Sequence, residues 1–272
     1  MFNNKYQLGV KKNFFQCLLA VCLALFLPTA QAATMTVFAA ASLTNAFNHL
    51  AQSFMQKYPQ HQVVTSYAAS DVLLQQIIHG APAQVFAAAD EYAMLLAEEN
   101  KVVIPSTRKD FATNEVVLIV PKENPLGIRS ISDLPKSEIR RIAYGNPKSV
   151  PAGRYTQQIL QNTGEWGAVI ENGILGQNVR QVLDYVARGE VDAGFVFRTD
   201  ALQLEDKVAI VESLQAPNNL INYPIAIVSQ NNTQLNEVAK QFIDFVLSHD
   251  GQAILKQYGF GPHPKFNNKR EK

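Results

Sequence analysis

The feature that most constrains this chain is a short apolar strand running through small residues into a serine and then an amphipathic helix. It is built more than once. Thr36-Val37-Phe38-Ala39-Ala40-Ala41-Ser42-Leu43-Thr44-Asn45-Ala46-Phe47 gives the first copy. After Ser42 the apolar residues Leu43, Ala46, Phe47, Leu50, Ala51, Phe54 and Met55 fall at the spacing of one helical face. Ser42 is thereby expected at the N-cap, where a hydroxyl meets the first unpaired backbone N–H groups. A helix start carries partial positive charge and free donors, so it can hold an anion without a cation. The bland alternative is an ordinary capped helix, and repetition argues against it. Gln62 to Tyr67 alternates as a strand, Ala68-Ala69-Ser70 comes next, and Leu73, Leu74, Ile77 and Ile78 line a helix closed by Gly80.

The alternation continues along the chain. Gln84 to Ala89 reads as a strand, with Asp90 capping a helix from Glu91 to Glu99, and Asn114 to Val120 reads as a longer strand ended by Pro121. A second set begins after the turn-rich Pro121 to Gly127. A short helix starts at Ile131, Arg141 to Gly145 is a strand, and Asn146 to Val150 is a loop. Pro151 suits a first helical turn. That helix carries Ala152, Tyr155, Ile159 and Leu160 to Gly164; Asn178 caps another with Val179, Val182, Leu183 and Val186, stopped by Gly189. Asp192 to Phe197 is a strand, and Thr199 is expected to cap the next turn. Strands are also predicted at Val208 to Val211 and Tyr223 to Ser229, and helices at Leu235 to Leu247 and Gln252 to Tyr258. Strands alternating with helices predict an α/β fold with mainly parallel sheets, and two sets of similar size predict two lobes with a cleft between them.

The chain has 272 residues, and 47% hydrophobic against 17% charged residues describes a globular protein with a real core. Residues 1–32 read as a secretory signal peptide: Lys5, Lys11 and Lys12, then an apolar run from Phe14 to Leu27, then Ala30-Gln31-Ala32 as an A-x-A cleavage site. Both cysteines, Cys17 and Cys22, lie within it. Cys22 is a poor lipoprotein attachment site because Val21 precedes it and Leu23 to Leu27 would open the mature chain. Free secretion into a periplasm is the expectation. Without residues 1–32 the count is 21 basic to 23 acidic residues, a net of −2, and no basic patch points to nucleic acid. Residues 263–272 read as a solvated, disordered tail.

Enzymatic signatures are scarce. Cysteine chemistry is excluded from the mature chain. His49, His61, His79, His249 and His263 are scattered, and no H-x-x-x-H, G-x-S-x-G, G-x-x-x-x-G-K-[ST] or G-x-G-x-x-G occurs. A nucleophilic serine would need a base, and His49 lies too far along the helix that begins after Ser42. Trp166 reads as packing, and Asp71 as a first-turn acid facing the helix dipole. What remains is a set of helix starts: Ser42, Ser70, Ala152 after Val150-Pro151, and Val179 after Asn178. Convergent donors favour a fully ionised oxyanion, whereas a partly protonated phosphate also wants an acceptor.

At these residues the sequence resembles the periplasmic molybdate-binding proteins of ABC transporters, type II solute-binding proteins. The resemblance is carried in order by Val37-Phe38-Ala39-Ala40-Ala41-Ser42-Leu43, Ser66-Tyr67-Ala68-Ala69-Ser70, Gly80-Ala81-Pro82-Ala83, Ala88-Ala89-Asp90, Val150-Pro151-Ala152-Gly153-Arg154-Tyr155, Asn178-Val179-Arg180, Gly189-Glu190 and Tyr258-Gly259-Phe260. It implies capture of molybdate or tungstate by the hydroxyls of Ser42 and Ser70 and the backbone N–H groups of Ala152 and Val179. Molybdenum or tungsten would enter only as the oxyanion, with no cofactor, and delivery would be to an inner-membrane permease by a monomer. The family commonly adds a tyrosine hydroxyl where this chain has Phe197; losing a donor to a charged ligand costs on the order of 1.5–3 kcal/mol unless a neighbour or water replaces it. The implied lobes are 33–113 with 224–262, and 114–223, joined by crossing strands near 113–116 and 221–225. Sulfate or phosphate binding, and a secreted serine hydrolase, are the alternatives.

Overall fold

The computed structural model describes residues 33–214, 221–229 and 233–262. The signal peptide and tail expected from the sequence lie outside these residues. The described strands are β1 (Ala33–Ala40), β2 (His61–Ala68), β3 (Val85–Ala87), β4 (Lys109–Asn114), β5 (Val116–Pro121), β6 (Ile142–Gly145), β7 (Gly173–Gly176), β8 (Ala193–Phe197), β9 (Val208–Leu214) and β10 (Ile221–Ile227). They form two five-stranded sheets, ordered β2-β1-β3-β10-β4 and β7-β6-β8-β5-β9.

Each sheet contains one strand that opposes the other four. In the first sheet β1 pairs in parallel with β2 and β3, while β10 is antiparallel to both β3 and β4. In the second, β6 pairs in parallel with β7 and β8, while β5 is antiparallel to β8 and β9. The odd strand in each sheet is the one entered directly from the other. From Asn114 at the end of β4 the chain crosses through Glu115 alone into β5, and it returns between Leu214 and Ile221. The result is a two-lobed α/β fold with mainly parallel sheets. The single strand predicted over Asn114 to Val120 is in fact divided at this crossing, because Asn114 pairs in the first sheet and Val116 in the second.

Helices cover the sheets. In chain order they are α1 (Thr44–Lys57), α2 (Ser70–Ile78), α3 (Glu91–Glu99), α4 (Pro151–Thr163), α5 (Trp166–Glu171), α6 (Val179–Ala187), α7 (Arg198–Ala201), α8 (Thr233–Leu247) and α9 (His249–Gln257). The apolar face read from the sequence of α1 is the buried one: Ala46, Phe47, Leu50, Ala51 and Phe54. Phe47 stacks obliquely on Phe111 of β4 at 5.5 Å, and Phe54 meets Phe242 of α8 edge-on at 5.3 Å. Burying a phenylalanine in this way contributes roughly 1.5–3 kcal/mol each. In the second sheet α6 lays Val182, Leu183 and Val186 against β6 and β8, as its 3.6-residue period requires. Trp166 packs edge-on against Tyr144 at 5.2 Å, in keeping with a packing role.

Candidate anion-binding site

Register aligns the two strands that lead into the serines. Ala40 of β1 is paired with Ala68 of β2, and Ser42 and Ser70 each come two residues later. Both are buried, at 2% and 0% exposure. Neither is an N-cap, and here the structure corrects the expectation. Ser42 sits inside a single 3-10 turn, Ala41–Leu43, leading into α1, and Ser70 is the first residue of α2 with Ala69 in the cap position. Their hydroxyls are engaged across the fold instead. Ser42 Oγ lies 3.0 Å from the Tyr223 hydroxyl of β10, and Ser70 Oγ accepts the Ala89 backbone N–H at 3.0 Å. A long-range partner outcompetes the helix's own amides.

The other two helix starts are prepared by glycine and asparagine. After β6 the chain turns through Asn146, whose carbonyl accepts the N–H groups of Ser149 and Val150 at 3.0 and 2.8 Å. Pro151 then opens α4. Gly153 presses against the end of β6 so closely that a Cβ on it would stand 1.8 Å from the Gly145 carbonyl oxygen. Only glycine allows that approach, and it fixes where the Ala152 amide lies. Asn178 caps α6 by accepting the Gln181 N–H at 3.0 Å, beyond the Gly145–Gly176 pairing of β6 and β7. The first-turn amides of Ala152 and Val179 have no partner within their helices. All four starts stand at the C-terminal ends of parallel strands, the usual mouth of an open α/β sheet.

Two arginines tie these starts together across the lobes. Arg154 of α4 donates from Nε and one terminal nitrogen to Asp90 at 3.0 and 2.9 Å, and from both terminal nitrogens to Asp71 at 3.0 and 3.2 Å. It also lies over the Tyr92 ring, 4.5 Å from the centroid. Asp71 thus has a cation partner and not only the helix dipole. Asp90 caps α3 as read from the sequence, accepting the Ala93 N–H at 3.1 Å. Burial pushes its carboxyl above the usual range, although Arg154 opposes the shift. Arg180 of α6 reaches the carbonyl of Ser42 at 3.4 Å and holds Asp200 with Nε 2.6 Å from Oδ1, a charge contact with poor hydrogen-bond alignment. Asp200 is fully buried, and desolvation raises its pKa to about 6 against the pull of Arg180.

Phe197 ends β8, fully buried, with its ring edge-on to Tyr223 at 5.6 Å and to Tyr155 at 6.5 Å. The Tyr223 hydroxyl touches Ser42 and also accepts from Asn114 Nδ2 at 3.1 Å. Thr199 does not cap α7; its Oγ1 accepts the other Asn114 Nδ2 bond at 2.9 Å. Sequence reasoning missed Arg154, Arg180, Asp200, Asn114 and Tyr223 as site neighbours. The arginines did leave a signal, since a cation in a helix's first turn opposes the macrodipole and calls for a specific carboxylate. His49, the base considered for a hydrolase, packs edge-on against Tyr258 at 5.9 Å, and the Ser42 and Ser70 hydroxyls have the partners just named. The arrangement offers two hydroxyls and two helix starts, backed by two paired guanidiniums. That set suits a small anion.

Comparison with known proteins agrees. The Escherichia coli molybdate-binding protein ModA is 34% identical over 230 residues, covering 83% of this chain and 88% of its own. A Bacillus subtilis chain designated an ABC transporter substrate-binding lipoprotein, YvgL, is 36% identical over 84% of this chain and 86% of its own. Among solved structures, the Azotobacter vinelandii periplasmic molybdate-binding protein superposes with a TM-score of 0.72 at 26% identity, covering 83% of this chain and 98% of that one. Residues 35–261 match the family described as bacterial extracellular solute-binding proteins, and the chain belongs to that family.

Proposed function

We propose that this protein captures molybdate or tungstate outside the inner membrane and delivers it to an ABC permease. The observation that carries the reading is the pair of buried serines, Ser42 and Ser70, each two residues beyond a register-matched pair of neighbouring strands. Arg180, in the helix that starts at Val179, reaches the Ser42 carbonyl, and Arg154, in the helix that carries Ala152, reaches Asp71 next to Ser70, which supports bringing these helix starts to the serines. Relatives named for molybdate, at about a third identity over most of the chain, support the choice of ligand. Ser42 and Ser70 donate hydroxyl hydrogens, Ala152 and Val179 donate backbone N–H groups, and the Phe197 ring packs beside the site without a polar contact. Catalytic residues and cofactors have no part in this reading.

The first lobe takes in 33–114 and 221–262 and the second 116–214, a few residues from the expected bounds at 113/114 and 223/224 because Asn114 and Ile221 to Tyr223 pair in the first sheet, and the hinge lies where β4 passes into β5 and β9 into β10. Export through a cleaved leader of residues 1–32 places the monomer in the periplasm. Selectivity against sulfate, equal in charge and shape, rests on cavity size. Calorimetry of residues 33–272 with molybdate, tungstate, sulfate and phosphate tests the reading. Tight one-to-one binding of the first two and no heat from the others is the expected outcome. A preference for sulfate or phosphate would keep the fold and overturn the ligand.

A further inference from the structure

The hydrogen-bond chain behind Ser42 has a direction. Asn114 Oδ1 accepts the Glu115 backbone N–H at 3.0 Å, which fixes the amide's orientation. Its Nδ2 must then face the other way, where it donates to Thr199 Oγ1 at 2.9 Å and to the Tyr223 oxygen at 3.1 Å. Tyr223 is fully buried, so its own hydrogen needs an acceptor, and Ser42 Oγ stands 3.0 Å away. Ser42 therefore receives a hydrogen bond from inside the protein, and its hydroxyl hydrogen is left for the cleft. Ser70 is arranged alike by a different donor. Its oxygen accepts the Ala89 N–H at 3.0 Å, an amide that cannot reverse its role.

We propose that Asn114 and Tyr223 are positioning residues that hold Ser42 as an outward donor, and that they set the site's preference for fully ionised tetrahedral oxyanions over protonated ones. This rests on the anion-binding reading above. An unprotonated dianion offers only acceptors and meets two prepared O–H donors. Hydrogenphosphate carries the same charge with one P–OH, and a donor placed against a donor leaves a buried polar group unpaired. The chain also begins at the crossing between the lobes. Asn114 is the last residue of β4 and pairs with Ile221 at the start of β10, so the serine's orientation is anchored where the two lobes join.

A double-mutant cycle with molybdate tests the relay. Tyr223→Phe is expected to weaken binding about ten-fold, and Ser42→Ala ten- to a hundred-fold. The double variant should bind no more weakly than Ser42→Ala alone, because Tyr223 acts only through that serine. Additive losses would mean that Tyr223 touches the anion itself and would overturn the relay, as would unchanged affinity in Tyr223→Phe. Asn114→Asp provides a readout that survives if Tyr223→Phe misfolds. A carboxylate there accepts from Tyr223, Tyr223 then accepts from Ser42, and Ser42 turns its lone pairs to the cleft. Measured at mildly alkaline pH, the added charge penalises molybdate and hydrogenphosphate alike. With hydrogenphosphate affinity read by competition against bound molybdate, since direct calorimetry is silent for the wild type, the reversed relay moves the affinity ratio about ten-fold toward hydrogenphosphate. An equal fall for both would refute the directional role. If the wild-type protein ignores molybdate yet shows the Ser42–Tyr223 coupling with sulfate, the ligand assignment fails and the relay stands.

Discussion

Phe197 and Asp200 stand three residues apart, one ending β8 and the other in α7, and each carries a prediction of its own. Phe197 puts a ring where related sequences are expected to offer a hydroxyl, and that ring rests 5.6 Å from Tyr223. Phe197→Tyr should therefore tighten molybdate binding by up to about ten-fold if it restores a donor to the anion. Titration calorimetry showing the same or weaker affinity would mean that another group already fills the gap. Asp200 acts on stability. Its folded pKa of about 6 lies above the ordinary carboxyl value of 3.8, so the folded protein holds this proton more tightly than the unfolded chain does. Its contribution is full below the unfolded value and is lost as pH rises through about 6, a change of about 3 kcal/mol. Urea unfolding of wild type and Asp200→Asn across that window should give stabilities whose difference changes with pH and levels off above it; a constant difference would refute the shift. The capping Asp90 and Asn178 and the helix starts at Pro151 and Val179 were legible because their signals are local. Tyr223 and Asn114 were not, since Tyr223 meets Ser42 181 residues away and Asn114 meets Thr199 85 residues away.

At the scale of elements, α4 is the piece whose position depends on a single missing atom. Gly153 lets the helix start meet the backbone of Gly145, where a Cβ would lie 1.8 Å from the carbonyl oxygen. Backbone cannot move aside as a side chain can. Gly153→Ala should thus cost about 1–3 kcal/mol in thermal unfolding and displace the Ala152 amide, weakening anion binding with it. Gly167, in α5, has open space where its Cβ would go, and Gly167→Ala should stabilise by about 0.4–1 kcal/mol with affinity unchanged. Stabilisation in both variants would show that the close approach at Gly153 costs nothing and that only the helix preference for alanine over glycine is felt. Most elements could be read from periodicity, as the buried stripe of α1 illustrates. Strand β7 could not, for it is four residues long, bounded by Gly173 and Gly176, with Ile174 and Leu175 exposed at the sheet edge. Strand β4 was overlooked because Lys109, Asp110 and Asn114 dilute its alternation, and Phe111 and Ala112 alone are buried.

At the scale of the molecule, the two halves of the chain meet through the Phe197–Tyr223 ring pair, the Asn114–Thr199 hydrogen bond and a set of charged contacts, and Arg154 makes the densest of the charged ones. It belongs to α4 beside the second sheet, while Asp71 and Asp90 border the first. The three side chains are 15%, 14% and 3% exposed, so the pairs are mostly removed from water. Removing the cation would leave two partly desolvated carboxylates without compensation, a loss of roughly 3–5 kcal/mol for a buried pair. Those same charges would face any anion held at Ser70 and Ala152. Arg154→Gln should consequently do two things together. The ligand-free protein should open, seen as a larger radius of gyration in X-ray scattering than wild type, because the contact closing the lobes is gone. Affinity should also fall by the same factor for molybdate and tungstate, since the penalty is one of charge and not of size or donor geometry. Adding saturating molybdate should return the scattering curve toward the wild-type one, because the anion then supplies its own bridge between the lobes. Identical curves for the two ligand-free proteins would show that the crossing strands alone set the closure, and Arg154 would then matter only for local charge.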